Sequence, residues 1–268
     1  MKENAAQVRR MYIDLLRDII VNEIYRDPPV QRNLLRNIAQ KIAKTQRRSD
    51  VFDERKRSLG LDWPSVAHSM IGRQRMDNLR DLACEVIEKG IPGDFIETGV
   101  WRGGACILVR GIFKAYGETG RTVWVADSFE GLPKPDAAKY AADRGDRHHE
   151  LKFLAISQQE VEANFAVYGL LDEQVRFLKG WFKDTLPTAP IEKLAILRLD
   201  GDMYQSTMDG LENLYGKVSP GGYIIVDDYH AVAGCRQAVH DFLGRAAPDE
   251  KVAIQEIDGT GVFWQRQI

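Results

Sequence analysis

The chain has little cysteine, no long apolar run and almost no net charge, and each shortage removes a class of function. Its three cysteines, Cys84, Cys106 and Cys235, stand far apart and match neither a disulfide framework nor a metal-ligand spacing. Each sits among apolar residues of helical period, so buried, reduced thiols are expected. No uninterrupted apolar stretch approaches the ~20 residues that cross a bilayer. The opening MKENAAQVRRMY lacks the apolar core of a secretory leader. A soluble, cytoplasmic protein with no membrane partner is the expectation. A formal charge of −2 gives no reason to expect nucleic acid.

What is present is enough apolar residue, 44%, for a large α/β core. Residues 5–26 and 30–46 read as amphipathic helices, broken between by Pro28 and Pro29, which lack N–H donors. Their arginines, among them Arg9, Arg10 and Arg17, read as a solvated helix face. Residues 47–68 look like a polar linker, and a third helix is expected over 71–90. From Gly93 short apolar runs alternate with helices. Strands are expected at 94–98, 122–127, 175–180, 194–200 and 221–228, with a closing hairpin at 251–257 and 261–266. Ser157 and Glu160 form a possible capping box at the head of a helix over 157–169. Further helices are expected over 205–216 and 231–244. This alternation predicts a Rossmann-like, mainly parallel seven-stranded sheet covered on both faces, with an N-terminal helical cap. The expected division is a cap over residues 1–68 and a main domain over 69–268.

Ligands of such sheets bind beyond the carboxyl ends of the strands, and the unusual residues collect there. The stretch FIETGVWRGGACIL is a strand, a glycine turn and a helix start. Gly99 and Gly103 let the backbone approach a ligand, with Glu97 and Thr98 just before them. The spacing is neither Gly-x-Gly-x-x-Gly nor a phosphate loop, and Glu97 suits an ammonium better than a pyrophosphate. Asp127, followed by Ser128, ends the next strand, where an acid commonly accepts both ribose hydroxyls. An acid at each turn and no phosphate cradle point to S-adenosylmethionine. Gly180 and Trp181 follow the third strand, where the indole either flanks the adenine or packs in the core.

Two strands end in paired carboxylates, LRLDGD at Asp200 and Asp202 and IIVDD at Asp227 and Asp228. Clustered negative charges repel unless a cation or substrate sits among them. Asp200, Asp227 and Asp228 suit a hard divalent cation such as Mg²⁺, which leaves positions for two substrate oxygens. Helix capping would account for one aspartate of each pair, but not for both pairs. Asp202 is the candidate general base, with His230 as a rival. The polar segment 134–153 is long enough to be functional, and Tyr140, His148 and His149 are its candidate acceptor contacts.

The motifs IETGVWRGGA, TVWVADSFEGLPKPD, FLKGWFKDTLP, LRLDGDMYQST and GGYIIVDDY closely resemble the macrocin O-methyltransferase family. The likeness runs from YIDLLRDIIVNEIYRDPP to TGVFWQR. It implies a class I methyltransferase sheet and a Mg²⁺ site at Asp200, Asp227 and Asp228. It also implies Asp202 as base, a (deoxy)sugar or glycosylated acceptor and a homo-oligomer with N-terminal contacts. Related catechol O-methyltransferases place a lysine base three residues after the first metal aspartate, where this chain has Met203. The competing reading is a metal-dependent glycosyltransferase using Asp200-Gly201-Asp202 as its Asp-x-Asp motif.

Overall fold

A computed structural model of the chain describes residues 2–30, 51–246 and 252–267. The strands are β1 (Asp94–Thr98), β2 (Val123–Asp127), β3 (Val175–Lys179), β4 (Leu194–Leu199), β5 (Val218–Val226), β6 (Gln255–Glu256) and β7 (Val262–Gln265). They form one seven-stranded sheet in the order β3-β2-β1-β4-β5-β7-β6. The first five pair in parallel, and β7 is antiparallel to β5 and β6. The closing hairpin is shorter than its apolar pattern suggests, because β6 holds only two residues.

The helices are α1 (Lys2–Ile20), α2 (Glu54–Ser58), α3 (Gly72–Glu88), α4 (Gly104–Tyr116), α5 (Gln158–Val167), α6 (Phe182–Thr185), α7 (Tyr204–Leu214) and α8 (Ala233–Ala246). Apolar faces of α1, α3, α4 and α5 cover one side of the sheet, and α7 and α8 cover the other. Strand β4 lies between β1 and β5, so all six of its residues are buried. That position explains its near-continuous apolar reading, LAILRL. Ser157 caps α5 as expected, its Oγ accepting from the Glu160 amide at 3.2 Å.

Helix α1 stops at Ile20 rather than near residue 26. Asn22 takes a φ of +53°, and its side-chain amide donates to Asp27 at 2.8 Å, which turns the chain away. The helix expected over 30–46 lies almost wholly outside the described residues. Two polar readings are corrected. Arg17 is buried, not solvated, because Asp14, Asp18 and Asp77 replace its water. The segment 51–68 is no passive linker. Its Arg57 is 1% exposed and pairs with Asp27 at 2.8 Å and Asp62 at 3.0 Å, while donating to the Val21 carbonyl at 2.9 Å. This cluster joins the end of α1 to the segment that enters α3.

Removing one partner of a buried pair strands the other charge, typically at a cost of about 3–5 kcal/mol. Arg57→Met is therefore expected to lower unfolding stability in urea by that order. A change within the ~0.5 kcal/mol of ordinary surface substitutions would contradict the anchoring role.

Candidate functional site

A row of backbone hydrogen bonds lines up the strand ends. The Gly180 amide donates to Asp127 O at 2.9 Å, Gly99 to Ala126 O at 2.8 Å, Asp200 to Thr98 O at 2.9 Å and Asp227 to Leu199 O at 2.9 Å. Strand order reverses between β1 and β4, which opens a crevice at this edge. A cavity of about 540 Å³ fills the crevice. Glu97, Gly99, Asp127, Ser128, Gly180, Trp181, Asp200, Asp202, Asp227 and Asp228 all line it. Thr98 and Gly103 do not. A Cβ on Gly103 would lie 2.8 Å from Val161, so this glycine lets α5 pack against the turn, while Gly104 faces the cavity.

Gly99 is the narrowest point. Its φ is +88°, and a Cβ there would fall 1.9 Å from the Asp200 carbonyl oxygen. Only a residue without a side chain lets β1 and β4 meet so closely. Beside it, Asp127 Oδ2 accepts from the Val100 amide and Oδ1 from Phe129, each at 2.8 Å. Burial raises the Asp127 carboxyl above its ordinary range, against these two amides. Trp101 and Phe129 hold positive φ of +47° and +58° in the same turns, strain of the sort that collects at ligand sites. Glu97 is fully buried, paired with Arg198 through one oxygen and accepting from Cys106 Sγ at 3.0 Å through the other. Burial pushes its carboxyl to about 7, with Arg198 opposing.

At the other end, carboxylate oxygens of Asp200, Asp227 and Asp228 lie within 4.8 Å of one another. Arg198 Nη1 meets Asp200 Oδ2 at 2.7 Å and Nη2 holds Asp227 Oδ1, while Arg75 holds Asp227 Oδ2. Asp228 Oδ2 is buried without a hydrogen-bond partner. Burial and then the charge of Asp202 drive its carboxyl well above the usual range. Burial and then Asp227 raise Asp200 in the same direction.

Asp202 is free for chemistry because it caps nothing. The first amides of α7, on Tyr204 and Gln205, are capped instead by Asp143 of the 134–153 segment, at 2.6 and 3.1 Å. Asp202 takes a φ of +58°, and burial followed by repulsion from Asp200 pushes its carboxyl to about 7. His148 opposes that shift and is itself oriented by Asp146, at 2.6 Å from Nδ1. Tyr140 and His148 line the cavity, and His149 does not. His230 faces Glu256 at 3.3 Å and is absent from the cavity wall. Sequence reasoning missed Arg75, Arg198 and Asp143. Arg198 alone left a signal, as a cation in an otherwise apolar strand two residues before Asp200.

Gly99→Ala is expected to displace Asp200 and to lower both the melting temperature and nucleoside binding. Wild-type values for both would contradict the close approach. A second outcome follows from Asp209, which also lines the cavity and whose carboxyl is raised to about 6 by burial and then by Glu212. Its charged form is penalised in the fold above that pH, whereas below the unfolded value both states are neutral. Asp209→Asn is expected to raise the melting temperature at about pH 8 and to change little near pH 3. An equal gain at both pH values would contradict this.

Residues 9–266 match the family described as macrocin-O-methyltransferase (TylF). The chain is 51% identical over 258 residues, 96% of its length and 93% of the relative, to the 8-demethyl-8-(2,3-dimethoxy-alpha-L-rhamnosyl)-tetracenomycin-C 4'-O-methyltransferase of Streptomyces olivaceus. It is 49% identical to the demethyldecarbamoylnovobiocin O-methyltransferase of Streptomyces niveus, across 96% of this chain and 93% of that one. Among solved structures, the O-methyltransferase NovP superposes with a TM-score of 0.88 at 47% identity, covering 97% of this chain and all of the other.

Proposed function

The chain belongs to the macrocin O-methyltransferase family, and we propose that it methylates a hydroxyl of a sugar carried on a natural product such as an antibiotic. The activity class is S-adenosylmethionine-dependent O-methyl transfer. The observation that carries the finer reading is one cavity with two chemically distinct ends. The Gly99–Asp127 turns, with no phosphate cradle, suit a nucleoside donor. The Asp200–Asp227–Asp228 trio, with the buried and unpartnered Asp228 Oδ2, suits a divalent cation.

In this reading Asp127 accepts the donor's ribose hydroxyls, and Ser128, Glu97 and the glycines shape the same end. Trp181 borders the cavity where an adenine would stack. Asp200, Asp227 and Asp228 would hold Mg²⁺. That ion, when bound, supplies Lewis acidity to two neighbouring hydroxyl oxygens of the sugar. Asp202 takes the proton of the reacting hydroxyl as its oxygen accepts the methyl group, leaving the donor sulfur as a thioether. A carboxyl raised toward 7 by burial is a stronger base than an exposed aspartate. His148 and Tyr140 face the same space from the 134–153 segment, as acceptor contacts.

The glycosyltransferase reading of Asp200-Gly201-Asp202 is not favoured. It leaves Asp127, Asp227 and Asp228 without a task. No helix among the described residues is long and apolar enough to cross a membrane. We also propose that the cap at 1–68 covers the cavity and carries the contacts of a homo-oligomer. Trp63 and His68 line the cavity, and Val8, Met11, Leu15 and Ile19 leave an exposed apolar stripe on α1.

Titration with S-adenosylhomocysteine tests the donor end. Wild type is expected to bind, Asp127→Ala to lose binding, and Asp202→Asn to keep it while methyl transfer falls by about 10²–10⁴. Equal binding by Asp127→Ala, or full transfer by Asp202→Asn, would sink the corresponding assignment.

A further inference from the structure

Asp227 carries a guanidinium on each oxygen, and the two differ in origin. Arg198 belongs to the sheet itself, whereas Arg75 is delivered by the first turn of α3 and lines the cavity. The seat of Arg75 is built. Its Nε donates to Asp258 Oδ2 at 2.9 Å and its Nη2 to the Leu59 carbonyl at 3.4 Å. Asp258 is fixed in turn, its other oxygen accepting from the Thr260 and Gly261 amides at 3.0 Å. Two glycines leave room for the side chain. A Cβ on Gly60 would fall 2.2 Å from Nη2, and one on Gly261 3.0 Å from Cδ. The Arg75 side chain is 6% exposed, so its charge acts on the acids with little screening by water.

We propose that Arg75 is a positioning residue for the cation site, standing in for the divalent ion while none is bound and giving up Asp227 Oδ2 when one enters. This rests on the Mg²⁺ reading of the acid trio. Without a cation, Asp200, Asp202, Asp227 and Asp228 repel one another, and Arg198 alone does not balance them. Arg75 supplies a second positive charge toward that deficit and holds Asp227 in place. The same charge opposes an incoming Mg²⁺ at close range, so the site trades affinity for a pre-assembled set of ligands. Because Arg75 also grips Asp258 and Leu59, it keeps its post beside the site after releasing Asp227.

The test is calorimetric titration of MgCl₂ into wild type, Arg75→Gln and Arg75→Lys, each saturated with S-adenosylhomocysteine, with melting temperatures in EDTA and in Mg²⁺. Arg75→Gln is expected to bind Mg²⁺ at least about tenfold more tightly, since a neighbouring positive charge is gone. It should also melt lower than wild type in EDTA and gain more from Mg²⁺. Arg75→Lys is expected to restore both properties toward wild type. Unchanged or weaker Mg²⁺ binding by Arg75→Gln overturns the proposal while leaving the cation site standing. Absence of any Mg²⁺ binding or stabilisation in wild type removes the cation reading, and this inference with it. If Arg75→Gln does not fold, wild-type crystals grown with Mn²⁺ and with EDTA decide. The Arg75–Asp227 contact should be open in the first and closed in the second, and a contact closed in both overturns the proposal.

Discussion

The balance between crowded carboxylates and two buried guanidinium groups is the constraint on which the rest of this molecule depends. Arg198 joins Glu97 of β1, Asp200 after β4 and Asp227 after β5. Arg75 joins that same Asp227 to Asp258 in the β6–β7 turn. Five separate segments therefore converge on one charge cluster. Buried ion pairs of this kind add little net stability, since desolvation consumes most of the Coulomb gain. What they provide is fixed placement of negative charge in a space that water would otherwise dilute. Stability comes from the two apolar layers on either face of the sheet, which hold the strand ends in register.

Much of this arrangement was legible in the chain. The inner strands β1, β2, β4 and β5 and their helices follow from period and length, because strands buried on both faces are mostly apolar. The edge strand β3, by contrast, is partly exposed and carries Arg176 and Lys179. Asp127, Asp200, Asp202, Asp227 and Asp228 could be placed at one edge because topology sends every parallel strand's carboxyl end the same way. Features that depend on distant partners were not legible. Asp143 caps α7 from sixty-one residues upstream, a contact that no local pattern encodes. Arg17 read as solvated because Asp77, which completes its burial, lies on α3. The 47–68 segment read as a linker because the Asp27 that holds Arg57 lies thirty residues upstream. Gly103 and Gly104 are indistinguishable as letters, yet one packs on Val161 and the other faces the cavity.

The site brings its two ends together across Gly99, where the turn after β1 all but touches the carbonyl of Asp200. A methyl donor at one end and a chelated sugar diol at the other would thus be separated by a single close approach. The 134–153 segment is bound to α7 through Asp143, so the proposed acceptor contacts and the proposed base Asp202 would share one anchor. In-line transfer needs this kind of positioning more than it needs a powerful base.

The most direct test of the account uses S-adenosylmethionine with an isotopically labelled methyl group. It would be offered with glycosides related to the acceptors named for its relatives, rhamnosylated tetracenomycins and demethyldecarbamoylnovobiocin, with Mg²⁺ or after exhaustive chelation. Mass analysis should find the label on a sugar oxygen with Mg²⁺ present and none after chelation, with recovery on adding the ion back. Label transfer at full rate after chelation would contradict the cation-bearing site, and label on the aglycone rather than the sugar would contradict the proposed acceptor.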